Sequence, residues 1–264
     1  MNRQDRLNYR EQGHGEVVVI LHGLFGSMDN LSPTARRLSE NYRVISVDLR
    51  NHGRSFHRAE MSYPEMAQDV VVLLNELMIS EAIVLGHSMG GKVAMQMALD
   101  YPEKVRALIV GDIAPVTYDH RHKNVLAAIN NYQPEHTHSR NEADQQLSKY
   151  IEMANVRQLL IKSMLPNAKG ELVWRMNAQA LIDNYDNIRS MPDNIGKIFE
   201  GPTLFIKGAV SDYLLPEHWP IITRYFPQAE IKVVDNVGHW LHAEKPALFN
   251  GVVIRFLTHL AKFK

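Results

Sequence analysis

The sequence predicts a doubly wound α/β domain, a mostly parallel sheet wrapped by helices, with a helical cap inserted between two strands. Three observations carry this. Short runs rich in β-branched residues alternate with longer amphipathic stretches. Most of these runs are almost continuously apolar, as strands buried on both faces of a parallel sheet must be. The alternation stops between about residues 116 and 200, where helical patterning takes over.

An edge strand is expected first, over Leu7–Arg10. Val17–Leu21 and Val44–Val47 follow as buried strands. Pro64 suits a helix start, and Met66, Val70, Leu73, Leu74 and Leu77 then share one helical face. Ala82–Leu85 is the next strand, and the helix after Gly90-Gly91 stops near Tyr101-Pro102. Ala107–Val110 closes the first half of the sheet. The stretch after it contains no convincing strand run. Ser139-Arg140-Asn141-Glu142 reads as a capping box, and Val156, Leu159, Leu160 and Ser163-Met164 keep helical spacing. Thr203–Ile206 and Ile231–Val234 return to strand character. A last helix follows Pro246, with Phe249, Val252, Val253, Phe256, Leu257 and Leu260 as its apolar stripe. The expected boundaries are a core of residues 1–116 and 200–264 and a cap of 117–199.

Composition narrows the function. A chain of 264 residues with 45% hydrophobic and 22% charged residues is ordinary for one large globular domain. Lys+Arg and Asp+Glu both number 29, so the basic surplus that nucleic-acid binding requires is missing. Cysteine is absent, which removes disulfides, thiolate nucleophiles and Cys-type metal sites and suits a cytoplasmic location. The start, Met1 to Arg6, is charged with no apolar run behind it, unlike a signal peptide. No apolar run approaches membrane-spanning length. Nothing speaks to oligomeric state.

Gly86-His87-Ser88-Met89-Gly90 follows a predicted strand and opens a helix. This is the G-x-S-x-G nucleophile elbow in its strand–turn–helix setting, and it makes Ser88 the candidate nucleophile. His22-Gly23-Leu24-Phe25-Gly26 ends the strand that begins at Val17. That loop can aim a backbone N–H at the nucleophile, so Leu24 and Met89 are the expected oxyanion-hole donors, with His22 ordering the loop. A serine hydroxyl needs an imidazole to take its proton, and His239 in Gly238-His239-Trp240 comes late enough for the chain order Ser…Asp…His. Two strand-end aspartates can orient it, Asp112 and Asp212, and spacing does not choose between them.

Other features read as less chemical. Asp48 is expected to fix the loop after its strand through hydrogen bonds. His120-Arg121-His122 and His136-Thr137-His138 lack a carboxylate at metal-motif spacing and are expected on solvated surface; no metal is expected. Phe25, Trp174, Met176 and Trp240 are candidates for the substrate pocket.

The chain resembles the α/β-hydrolases, and within them the small bacterial esterases of the YbfF type. The resemblance rests on His22–Asn30, Val47–Gly53, Gly86–Lys92, Asp112–Val116 and Gly238–Pro246, and it runs nearly end to end. It implies an α/β-hydrolase fold, esterase and acyl-CoA thioesterase activity, and no cofactor. It also implies an acid after the sixth strand, at Asp112, and a supporting serine at Ser211. Asp212, next to that serine, departs from the pattern and occupies the site where most α/β-hydrolases carry their acid. The expected function is cleavage of carboxylic esters or acyl-CoA thioesters through an acyl-enzyme on Ser88. Cofactor-free carbon–carbon hydrolysis or lysis on the same fold, and a non-catalytic binding scaffold, are the alternatives.

Overall fold

A computed structural model of the chain describes residues 6–261. Met1 to Asp5, most of the stretch read above against a signal peptide, lie outside the described residues. Seven strands form the main sheet: β1 (Tyr9–Gln12), β2 (Val17–Leu21), β3 (Arg43–Val47), β4 (Ala82–His87), β5 (Val105–Gly111), β8 (Thr203–Gly208) and β9 (Ala229–Val234). Their order is β1-β3-β2-β4-β5-β8-β9. Only β1 is antiparallel, pairing Tyr9 with Val47 and Gln12 with Val44. It starts two residues later than the sequence suggested, because Leu7 is drawn into the core and is buried.

The two faces of the sheet separate by residue parity. Val18 and Ile20 of β2, Ile83 and Leu85 of β4, and Leu204 and Ile206 of β8 face one side. There they meet α1 (Ser32–Leu38) through Ala35 and Leu38, and α11 (Pro246–Ala261) through Phe249, Val253 and Leu257. Val19, Leu21, Val84 and Leu108 face the other side, against α2 (Tyr63–Glu76) and α3 (Met89–Asp100). Burial on both faces explains the continuous apolar runs. Helix α2 is started as expected: Ser62 Oγ accepts the Glu65 N–H, and Pro64 lies in the first turn. A short α9 (Trp219–Tyr225) and α10 (Leu241–Glu244) complete the second half of the core.

Between β5 and β8 the chain makes five helices: α4 (Lys123–Asn130), α5 (Arg140–Ser148), α6 (Ala154–Lys162), α7 (Ala178–Asp183) and α8 (Tyr185–Arg189). The Ser139–Glu142 capping box forms at α5, with both reciprocal bonds present. One expectation needs correcting. A two-stranded antiparallel hairpin, β6 (Met164–Pro166) with β7 (Leu172–Trp174), stands where no strand was predicted, and Met164 belongs to it rather than to α6. Each strand is three residues long, too short to leave an alternation in the sequence.

Candidate active site

Ser88 sits between β4 and α3 at φ +53°, ψ −121°, a conformation that L-residues avoid. The glycines around it are required by space. A Cβ on Gly86 would lie 2.1 Å from the Gly90 carbonyl oxygen, and one on Gly90 would lie 2.4 Å from that of Leu21. The turn therefore packs backbone on backbone, which holds the serine up at the start of α3.

His239 Nε2 is 2.9 Å from Ser88 Oγ, and His239 Nδ1 is 2.8 Å from Asp112 Oδ2. Asp112 follows β5 directly, at φ +50°, and is fully buried. A buried carboxylate must be met by donors. Gly208 N–H donates to Oδ1 at 2.9 Å, and Ser211 Oγ–H makes a short bond to Oδ2. With the carboxylate on Nδ1, the imidazole carries its proton there and presents Nε2 as acceptor to the serine hydroxyl. The ring is held from two further sides. Tyr213 stacks on it with centroids 3.8 Å apart, and His87 Nε2–H donates to the His239 carbonyl at 2.8 Å.

The structure does not bring Asp212 to His239. The loop after β8 turns Ser211 inward and Asp212 outward, where its carboxylate is 73% exposed and pairs with Arg121 at 2.7 Å. One step along an extended loop reverses the direction of a side chain, which is why strand-end spacing alone left the two aspartates level.

Leu24 and Met89 line the same cavity as Ser88. The neighbouring amides are committed elsewhere: Gly26 N–H goes to Gly23 O, and Phe25 N–H to His52 Nε2 at 3.2 Å. His22 Nδ1–H donates to Gly23 O, and its Nε2 accepts the Leu49 N–H. His52 Nδ1–H donates to Arg50 O. Two neutral imidazoles thus tie the Gly23–Phe25 loop to the loop after β3. Asp48 organises that second loop, accepting from the N–H groups of Met28 and Arg54 and from the Asn8 side chain.

Burial lowers the pKa of His22 and holds His87 well below its usual value. His52 is pushed down to about 3, and His242 to about 4. The unfolded histidine titrates near 6.5. Between that value and the folded one, the unfolded chain holds a proton that the folded chain refuses. The stability from these rings is present above pH 6.5 and lost as pH falls through each folded pKa, which for His242 is about 4 and for His52 about 3, with a slope of about 1.4 kcal/mol per pH unit for a ring between its two values. Thermal unfolding should therefore show a Tm lower by about 10 °C or more at pH 4.5 than at pH 7.5. His242→Phe should flatten that dependence, since the His242 ring packs between His87 and Phe249 and its Nδ1 has no hydrogen-bond partner among the described residues. An unchanged acid slope would mean the ring ionises within the fold.

The cavity at Ser88 measures about 40 Å³ and lies where the insertion meets the core. Tyr118, Arg121, His122, Tyr185 and Ile188 come from the insertion; Tyr63, Lys92, Ile113 and Tyr213 come from the core and its connections. The four residues expected to line the pocket do not line this cavity. Phe25 is buried in the core, edge-on to His122. Trp174 packs on Tyr132 in the β6–β7 region, Met176 is core, and Trp240 is the residue just before α10. His122 is a second correction. It is not on solvated surface but lines the cavity, hydrogen-bonded to Tyr185 at 2.8 Å, with its pKa lowered to about 4 by burial. His136 and His138 are exposed, and among the described residues no cluster of His, Asp or Glu could hold a metal ion.

Lys92, unremarked as a functional residue in the sequence, is buried on α3. Its Nζ donates to three carbonyls: Val116 at 2.7 Å, Arg189 at 2.9 Å and Ser190 at 2.7 Å. Burial presses its pKa down to about 7, while the three carbonyls oppose that by matching the three N–H bonds of the ammonium. The hint in the sequence was a lysine among the glycines, methionines and aliphatic residues that open this helix.

Comparison with known proteins agrees with this architecture. The family model for the alpha/beta hydrolase fold matches residues 16–135. The chain belongs to the α/β-hydrolase family, and it is a hydrolase. It is 41% identical to mouse sn-1-specific diacylglycerol lipase ABHD11, covering 92% of this chain and 81% of that one. It is 37% identical to Escherichia coli esterase YbfF, covering 94% and 96%. A solved marine microorganism esterase superimposes with a TM-score of 0.92 at 38% identity, covering 95% of this chain and 99% of that one. No helix among the described residues is long and apolar enough to cross a membrane.

Proposed function

We propose that the protein is a serine esterase that cleaves carboxylic esters, and acyl-CoA thioesters, through an acyl-enzyme on Ser88. The observation that carries this reading is the unbroken chain from Asp112 through His239 to Ser88, with contacts of 2.8 and 2.9 Å. Names of relatives at about 40% identity, an esterase and a diacylglycerol lipase, point to the same bond.

In the proposed cycle, Ser88 Oγ attacks the carbonyl carbon as its proton passes to His239 Nε2. The Leu24 and Met89 N–H groups take the oxyanion. His239 then protonates the departing alkoxide or thiolate, and water repeats the sequence on the acyl-enzyme. Asp112 stays ionised and stabilises the imidazolium, with Ser211 and the Gly208 amide holding its oxygens. The lack of cysteine suits operation in the cytoplasm.

Residues 117–199 act in this reading as a cap that sets acyl preference, with the selecting side chains at the cavity rather than at Trp174 or Met176. A fluorophosphonate probe tests the nucleophile, since covalent labelling needs an activated serine. A binding scaffold would stay unlabelled. Tyr185→Ala and Ile188→Ala should shift the preferred acyl length on a graded ester panel while small-probe labelling persists. Superimposable chain-length profiles would remove the cap from specificity.

A further inference from the structure

One border of the main sheet is β9, hydrogen-bonded to β8 on one side and, among the described residues, to no strand on the other. Four consecutive residues of it are exposed, Glu230, Ile231, Lys232 and Val233. Ile231 and Val233 are 38% and 53% exposed on the face that carries Phe205. The Glu230 and Lys232 side chains, 46% and 54% exposed, lie on the opposite face, 3.1 Å from each other.

Unpaired strand borders invite pairing with another chain, and charges on them ordinarily discourage it. Here the charges have a second property. Two copies of β9 joined antiparallel by a twofold axis perpendicular to the sheet keep their faces aligned. Odd residues then oppose only odd residues, and even oppose even. Centred on Glu230 or on Lys232, such a pairing sets identical charges directly opposite each other. Centred on Ile231, it sets Glu230 of each copy against Lys232 of the other, Ile231 against Ile231, and Val233 against Ala229. That register brings unlike charges together on one face and apolar groups together on the other, the two cross-strand pairings that stabilise sheets. Centring on Ala229 or Val233 leaves half the strand unpaired.

We propose that the protein self-associates through β9, forming a twofold dimer with a continuous fourteen-stranded sheet centred on the Ile231 pair. The strand is short, so the equilibrium is concentration-dependent. The Ser88 region is not part of the contact, and activity per chain is independent of it.

Sedimentation velocity of the full chain, from about 1 µM to about 500 µM, reads the equilibrium directly. The wild type should approach twice the monomer mass at the upper end. Glu230→Lys and Lys232→Glu should each raise the dissociation constant about tenfold or more, because each turns two attractive cross-strand pairs into two repulsive ones. The double variant, Glu230→Lys with Lys232→Glu, should restore association. An equimolar mixture of the two single variants should associate as a heterodimer although neither does alone, since each then meets its opposite. Circular dichroism and fluorophosphonate labelling of every variant control for folding. A wild type that stays monomeric throughout overturns the proposal. So does association that the single variants leave unchanged, or that neither the double variant nor the mixture restores.

Discussion

Replacing Ser88 with alanine should lower kcat for ester hydrolysis about a millionfold, the loss seen when a working triad loses its nucleophile. Fluorophosphonate labelling should vanish with it. The fold should survive. The change removes one hydroxyl whose observed partner is His239 Nε2, and the Gly86–Gly90 turn is held by backbone packing that alanine does not touch. Alanine inherits the positive φ at this position, so the strain is unchanged in kind. The decisive comparison is kcat beside Tm for the same purified variant. Near-wild-type turnover with intact folding would remove Ser88 from the chemistry.

The second large effect separates the two aspartates. Asp112→Asn should cost about 10³–10⁴-fold in kcat, since the amide can favour the imidazole tautomer whose Nε2 no longer accepts the serine proton. Asparagine is the informative replacement here. Asp112 sits at φ +50°, and asparagine tolerates the left-handed region better than most residues, so a backbone effect is kept small. Asp212→Asn should cost less than about tenfold, because it weakens only an exposed ion pair with Arg121. Measuring kcat and KM for both at one pH decides the matter. The reverse ordering would move the orienting role to the β8 loop.

The sequence disclosed the core strands because parallel strands buried on two faces leave runs such as Val17–Leu21 that no surface segment imitates. Ser88 and His239 were legible as candidates because the elbow glycines and the chain order are local signals. The hairpin at Met164–Trp174 was illegible, being short and largely exposed. So was the cavity wall. Tyr63, Tyr118, Tyr185 and Tyr213 meet only through contacts between segments far apart in the chain, and an aromatic gives no sign of which neighbour it will face. Trp174 and Met176 looked suitable by residue type, and tertiary packing assigned them elsewhere. Asp112 and Asp212 were indistinguishable by position along the chain. What separates them is the direction of one peptide after Ser211.

The three carbonyls on Lys92 have a consequence for the chain's architecture. Val116 lies where the insertion departs and Arg189–Ser190 where it returns, and all three oxygens are within hydrogen-bonding reach of one nitrogen. The excursion of some seventy residues therefore begins and ends at nearly the same point in space. To the core it is a loop already closed. The entropy of closing a loop grows only with the logarithm of its length, about 0.6 kcal/mol per doubling. As far as loop closure goes, changing the length of the excursion thus costs the core little, provided Val116 and Arg189–Ser190 keep their hold on Lys92 and the contacts of Ile188 and Asn184 with Tyr63 and Met61 are kept. The two ends of the insertion are thus gathered on one ammonium group, while Tyr63 and Met61 of the core add hydrogen bonds to Ile188 and Asn184 further along it.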